Sequence, residues 1–208
     1  MTKPRSFGSS FLLVGCSGLC ACLALCCFAT AQTYYPNTEA RIRNLPSITA
    51  KSKDPSDVLA AAIATVFRDK AICCGKNSAL EDDVQRADPN SLKDVAAKLQ
   101  GRHLLSDGRP IMIMAEYVPA TSLVSGTFIS TLNDKQPLLM EWNSHLYVVY
   151  GETHSTIVSA DGERIDSILK IFLLDPRFSD QRREVIFDRQ TDDWGKVQSL
   201  LTLKAALQ

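Results

Sequence analysis

Three short segments carry side chains that work together in thiol chemistry. Cys73-Cys74-Gly75-Lys76 sets a thiol pair just before a helical stretch. His145 opens an apolar run that ends at Tyr150-Gly151, and Asp175-Pro176 closes another that begins at Ile168. A thiol reacts as the thiolate, which a helix N-terminus and a nearby cation such as Lys76 favour. A histidine within hydrogen-bond reach takes the thiol proton and returns it to a leaving amine. A carboxylate on the other ring nitrogen fixes the tautomer, and backbone N–H groups at the helix start help to hold an oxyanion. Taken singly, each residue also has a plainer account. Buried cysteines are mostly inert, a histidine before a strand packs or faces water, and an Asp before Pro is a turn residue. On that basis Cys73, His103 and His154 are read as structural, Trp142 and Trp194 as packing, and Glu81, Asp82 and Asp83 as a solvated helix face.

The elements that must position these groups follow from periodicity. Residues 32 to 53 are polar and read as an extended arm, a simple tether. Asp54-Pro55 starts a helix, and Val58, Leu59, Ala62, Ile63, Val66 and Phe67 carry it at helical spacing to about Lys70. A second helix spans about Asn77 to Arg86. Ser91 caps a third through Leu99, and Gly101 stops it. The character then changes. Strands are expected over Ile111–Val118, Pro137–Trp142, His145–Tyr150, Ile168–Leu174 and Arg183–Asp188. A helix is expected within Thr121–Asn133, and Asp192–Leu201 fits strand or helix. Helices first and strands later predicts an α+β domain with a mainly antiparallel sheet.

The N-terminus has the secretory pattern: Lys3 and Arg5, an apolar stretch over Phe11–Phe28, and Ala29-Thr30-Ala31 as a small-x-small cleavage site. Two other readings are an uncleaved anchor and a lipoprotein box at Leu13-Val14-Gly15-Cys16. The organisation expected is a signal peptide over 1–31, an arm over 32–53 and one domain over 54–208, exported to a secreted or periplasmic location. Without the leader, 177 residues remain, with 21 basic and 23 acidic side chains. That balance, with no basic stripe, argues against nucleic acid as a partner. No second apolar run is long enough to cross a membrane. Five of the seven cysteines lie in the leader. The adjacent Cys73 and Cys74 form neither a disulfide framework nor a zinc ligand set, so neither metal nor cofactor is expected. Neighbouring Cα atoms are about 3.8 Å apart, below the roughly 4.4 Å minimum usual for a disulfide. A Cys73–Cys74 bridge would therefore be strained and easily reduced, which allows a redox-sensing role.

The order of these motifs resembles the papain-like cysteine peptidases, nearest the branch that cleaves double-glycine leaders in bacteriocin processing. The resemblance rests on Cys-Gly at a helix start, on His opening a strand that ends in Gly, and on an apolar strand closing with Asp-Pro. It draws in Leu132–Leu139, similar to the segment before the family histidine, and Trp194, similar to a late aromatic. It spans roughly Pro55 to Leu203. It implies a papain-like fold and a thiol hydrolase acting on amide bonds of a peptide or protein substrate. Cys74 would be the nucleophile, His145 the general base and acid, and Asp175 the orienting group. The family usually has a glutamine about six residues before its nucleophile, as an oxyanion donor. That position is Arg68 counted from Cys74 and Phe67 counted from Cys73. Losing one such donor typically costs about 10²–10³ in rate. Two alternatives share the fold: a non-catalytic domain used for binding or assembly, and a transglutaminase-like acyl transferase using the same trio.

Overall fold

The computed structural model describes residues 32–46, 48–67, 79–105, 108–122, 125–178, 182–186 and 194–207. The expected class is observed: α+β, with an eight-stranded and mainly antiparallel sheet. Cys73, Cys74 and Arg68 lie outside the described residues.

Helix α1 (Pro55–Phe67) starts where the sequence places it. The Asp54 carboxylate accepts from the Ser56 N–H at 2.9 Å, and Pro55 takes the first helical position, where no N–H is needed. Val58, Leu59 and every residue from Ala61 to Val66 are buried. A helix apolar all round belongs in the interior. The one polar side chain in that run, Thr65, donates to the Ala61 carbonyl at 2.9 Å. Helix α2 is Ala79–Arg86. In α3 (Leu92–Leu99) the Ser91 hydroxyl caps the first turn by accepting from the Asp94 N–H at 3.2 Å.

The strands are β1 (Thr33–Arg41), β2 (Gly101–Leu104), β3 (Pro110–Pro119), β4 (Leu138–Trp142), β5 (His145–Val158), β6 (Arg164–Leu174), β7 (Arg182–Ile186) and β8 (Val197–Leu207). Helix α4 (Ser125–Asn133) separates β3 from β4. The sheet runs β2-β3-β8-β4-β5-β6-β7, with β1 also paired to β5. The last strand thus enters between β3 and β4, pairing antiparallel with both, and shifts register by a bulge between Glu141 and Trp142. Leu138, Leu139, Met140, Leu200 and Leu201 are fully buried. Successive strand residues point to opposite faces, so both faces of the sheet are covered at this centre. Helices α1 and α3 pack over β8, α1 also over β4 and α3 over β3.

Two outcomes differ from expectation. The polar arm is a strand: β1 joins the sheet, and Ala40, Ile42 and Leu45 are core residues. Gly151 lets it approach, since a Cβ there would sit 3.0 Å from both the Ala40 carbonyl oxygen and Phe172. The segment after Gly101, expected as loop, is β2, because Gly101–Leu104 finds an antiparallel partner in Pro110–Ile113. By contacts the described residues divide into a main unit, 35–156 with 166–208, and a small one, 32–34 with 157–165. Within the small unit, the Ser159 N–H donates to the Glu163 carbonyl at 2.9 Å and Gly162 takes a φ of +87°. No helix among the described residues is long and apolar enough to cross a membrane.

Candidate functional site

His145 and Asp175 meet at one end of the sheet because β5 and β6 are neighbours that run in opposite directions: His145 begins the first and Asp175 follows the last residue of the second. The Asn143-Ser144 turn sets the position of His145. Both residues adopt left-handed φ values, 56° and 60°, and Trp142 pairs with His145 across the turn. Two consecutive left-handed residues suit the right-handed twist of a hairpin. The Gln198 side chain accepts from the Ser144 N–H at 2.6 Å, tying the turn to β8.

Asp175 does not reach the imidazole directly; Arg177 stands between them. Its Nε donates to Asp175 Oδ1 at 2.8 Å and its Nη2 to Oδ2 at 2.6 Å, a bidentate pair. The Arg177 backbone N–H adds a third bond to Oδ1 at 3.1 Å. The third guanidinium nitrogen, Nη1, lies 3.0 Å from His145 Nδ1. Asp175 is fully buried, whereas the Arg177 side chain is 21% exposed and His145 is exposed. Burial by itself pushes the Asp175 carboxyl up, but the hydrogen bonds and charge of Arg177 outweigh it and hold the group below its ordinary value. A guanidinium nitrogen only donates. His145 Nδ1 can therefore only accept in this contact.

His145 and Arg177 open onto a cleft of about 390 Å³, which Pro55 and Val58 of α1, Asn90 and Leu146 also line. Lys53, at its edge, places its ammonium 5.6 Å from the Phe178 ring centre. The cleft brings an imidazole, a guanidinium, an ammonium and the carboxylate of Glu141 together with apolar residues such as Val58 and Leu146. Such a surface suits recognition of a chain with polar and apolar groups. A proton relay from carboxylate to imidazole is not formed in it.

The other two histidines hold the interior together, as expected. His103 is buried and sits between the Asp83 carboxylate, 3.0 Å from Nδ1, and the Leu99 carbonyl, 2.8 Å from Nε2. Asp83 is therefore more than part of a solvated face. His154 is buried against Glu152, with Nδ1 at 2.9 and 3.1 Å from the two carboxylate oxygens. Burial pushes Glu152 above its ordinary value; the bond and charge of His154 only partly offset this, and Asp166 and Glu39 add to it.

The sequence reading missed Arg177 and Glu152. A signal for the first was present: Asp175-Pro176-Arg177 is an Asp-Pro turn in which the carboxylate caps the N–H two residues on, and that returns the guanidinium to the same carboxylate. Glu152, His154 and Thr156 alternate along β5, a polar set on one side of a strand. Among the described residues no group of His, Cys, Asp and Glu is arranged to hold a metal ion. No protein-family model, no curated protein and no solved structure matches the chain.

Proposed function

We propose that this is an exported papain-like domain that binds a peptide segment in the cleft at His145 and does not hydrolyse it. The observation that carries this reading is the place of Arg177. A histidine that activates a thiol is oriented by an acceptor on its far nitrogen, which also stabilises the imidazolium as it forms. In this protein His145 Nδ1 faces a permanent cation and donor at 3.0 Å, and the carboxylate of Asp175 is fully engaged by the same cation. The papain-like reading is supported by three helices, α1 to α3, that come before seven of the eight strands, and by His145 and Asp175 standing at the ends of neighbouring strands. Position 67, the place of the oxyanion glutamine counted from Cys73, is Phe67 at the end of α1. Export is supported by the pattern of residues 1–31.

A second reading, a thiol hydrolase or acyl transferase, is favoured by His145 lining a cleft beside the first turn of α1. Haloacetamide labelling of the purified, reduced protein, followed by mass spectrometry from acid to neutral pH, separates the two. Binding without catalysis predicts ordinary thiol profiles for Cys73 and Cys74, the same in wild type and His145→Ala. Rapid labelling of one cysteine at acidic pH, lost in His145→Ala, would overturn it. Peptides selected on the wild type from a displayed random library should in turn lose binding to Leu146→Asp.

A further inference from the structure

At the end of β1 the chain gathers positive charge. Arg41, Arg43 and Lys135 line a cavity of about 740 Å³ together with Glu39, Ile42 and Asn44. The cavity lies where two strands share β5. Strand β4 pairs with β5 as far as Leu138 opposite Val149, and the Ile42 N–H donates to the next carbonyl, Tyr150, at 2.8 Å. Residues just before β4 and at the end of β1 are thereby brought together. Three cations and one carboxylate in a single wall is a marked segregation in a chain of formal net charge zero. A concave surface with an excess of one sign of charge concentrates the field on an incoming counter-ion.

Arg41 is fixed by aromatic neighbours, and Lys135 sits in a backbone conformation that lysine disfavours. The Arg41 guanidinium carbon is 4.1 Å from the Phe172 ring centre and 5.6 Å from that of Tyr150. Stacking uses the face of the guanidinium and leaves its in-plane N–H donors to other partners. Arg182 stacks on the same Tyr150 ring at 5.3 Å, extending the basic surface. Lys135 ends α4 in a left-handed conformation, φ 59°. Its N–H donates to Leu132 at 3.0 Å, and the next N–H, of Gln136, to Thr131 at 3.1 Å. This is the helix end at which glycine is the favoured residue. A lysine occupies it at a backbone cost glycine would avoid.

We propose that this cavity binds a phosphate-bearing ligand. Arg41 and Arg43 offer planar donor forks that match an oxyanion, and Lys135 supplies a compact charge. The volume exceeds that of one phosphate group and falls within the range of small-molecule sites, roughly 300–1,000 Å³. The space leaves room for a phosphate borne by a larger molecule, either a soluble one or a lipid headgroup. Calorimetric titration of the purified protein with inorganic pyrophosphate, at fixed ionic strength, tests the soluble source. Co-sedimentation with vesicles of phosphatidylglycerol and phosphatidylcholine, against phosphatidylcholine alone, tests the headgroup. The expected result is saturable binding in one arm, weakened about tenfold or more in Arg43→Gln and in Lys135→Gly, and unchanged in the surface control Lys98→Gln. Lys135→Gly also relieves the left-handed lysine, so its melting temperature should equal or exceed that of the wild type. Weakened binding then cannot be loss of fold. Absence of saturable binding in both arms, or binding by both cavity variants as tight as that of the wild type, would overturn the proposal.

Discussion

Two of the histidine–carboxylate assemblies among the described residues, His154 with Glu152 and His145 with Asp175, use similar residue types to opposite effect. In the interior, His154 Nδ1 meets the Glu152 carboxylate directly at 2.9 Å, the wiring that orients an imidazole for base catalysis, yet His154 is only 2% exposed and no substrate reaches it. At the cleft, His145 is exposed and accessible, but its Nδ1 faces Arg177, which has taken the carboxylate of Asp175 for itself. The chemistry of a histidine is decided less by an acid nearby than by which group its second nitrogen touches. Direct pairing occurs where it is sealed, and access occurs where pairing is intercepted.

The largest effect that tests this contrast is at Arg177. Arg177→Ala leaves the fully buried Asp175 with only the backbone N–H of residue 177, and removing one member of a buried pair costs about 3–5 kcal/mol. Chemical denaturation at neutral pH measures it. A loss below about 1 kcal/mol, the range of exposed pairs, would mean that Asp175 is solvated and the two assemblies are not alternatives at all. The next effect lies in pH dependence, where the two carboxyls have opposite signs. Asp175 is held below its ordinary value, so its contribution is present above about pH 4 and is lost as pH falls through the lower folded value. Glu152 is pushed above its ordinary value. The folded state then keeps a proton that the unfolded state releases, so stability falls as pH rises from the ordinary glutamic acid value through the raised one. Glu152→Gln should abolish that second limb while changing stability at its acid end by within about 1 kcal/mol. Denaturation midpoints collected from pH 3 to 8 read both limbs, and a limb that survives Glu152→Gln belongs to another group. The smallest effect is at His145→Ala. The side chain is exposed and contributes one hydrogen bond at the edge of the cleft, so stability should move by within about 0.5 kcal/mol. A larger loss would make His145 a structural partner of Arg177.

Much of the architecture can be read locally. The cap at Asp54-Pro55, the apolar spacing from Val58 to Phe67 and the cap at Ser91 specify helices with side chains only a few residues apart. The apolar runs of β4, β5 and β6 specify strands in the same way. The polar sequence of β1 reads as an arm because its strand is created by an edge of β5 and a glycine, Gly151, far along the chain. Strand β8 was ambiguous for the same reason: its state is settled by β3 and β4 on either side of it.

The residues alone determine which chemistry is in reach: a thiol pair, a histidine opening a strand, an acid before proline, and a helix-then-strand order that makes an α+β domain. They also determine the local turn that returns Arg177 to Asp175, two residues away. Only the tertiary structure decides that the same guanidinium meets His145, 32 residues distant, and that Glu152 and His154 are buried together. Periodicity and capping act within one or two turns of chain and are written into neighbouring residues. Contacts across strands depend on register and twist summed over the whole sheet, and it is those contacts that set the partner of each imidazole.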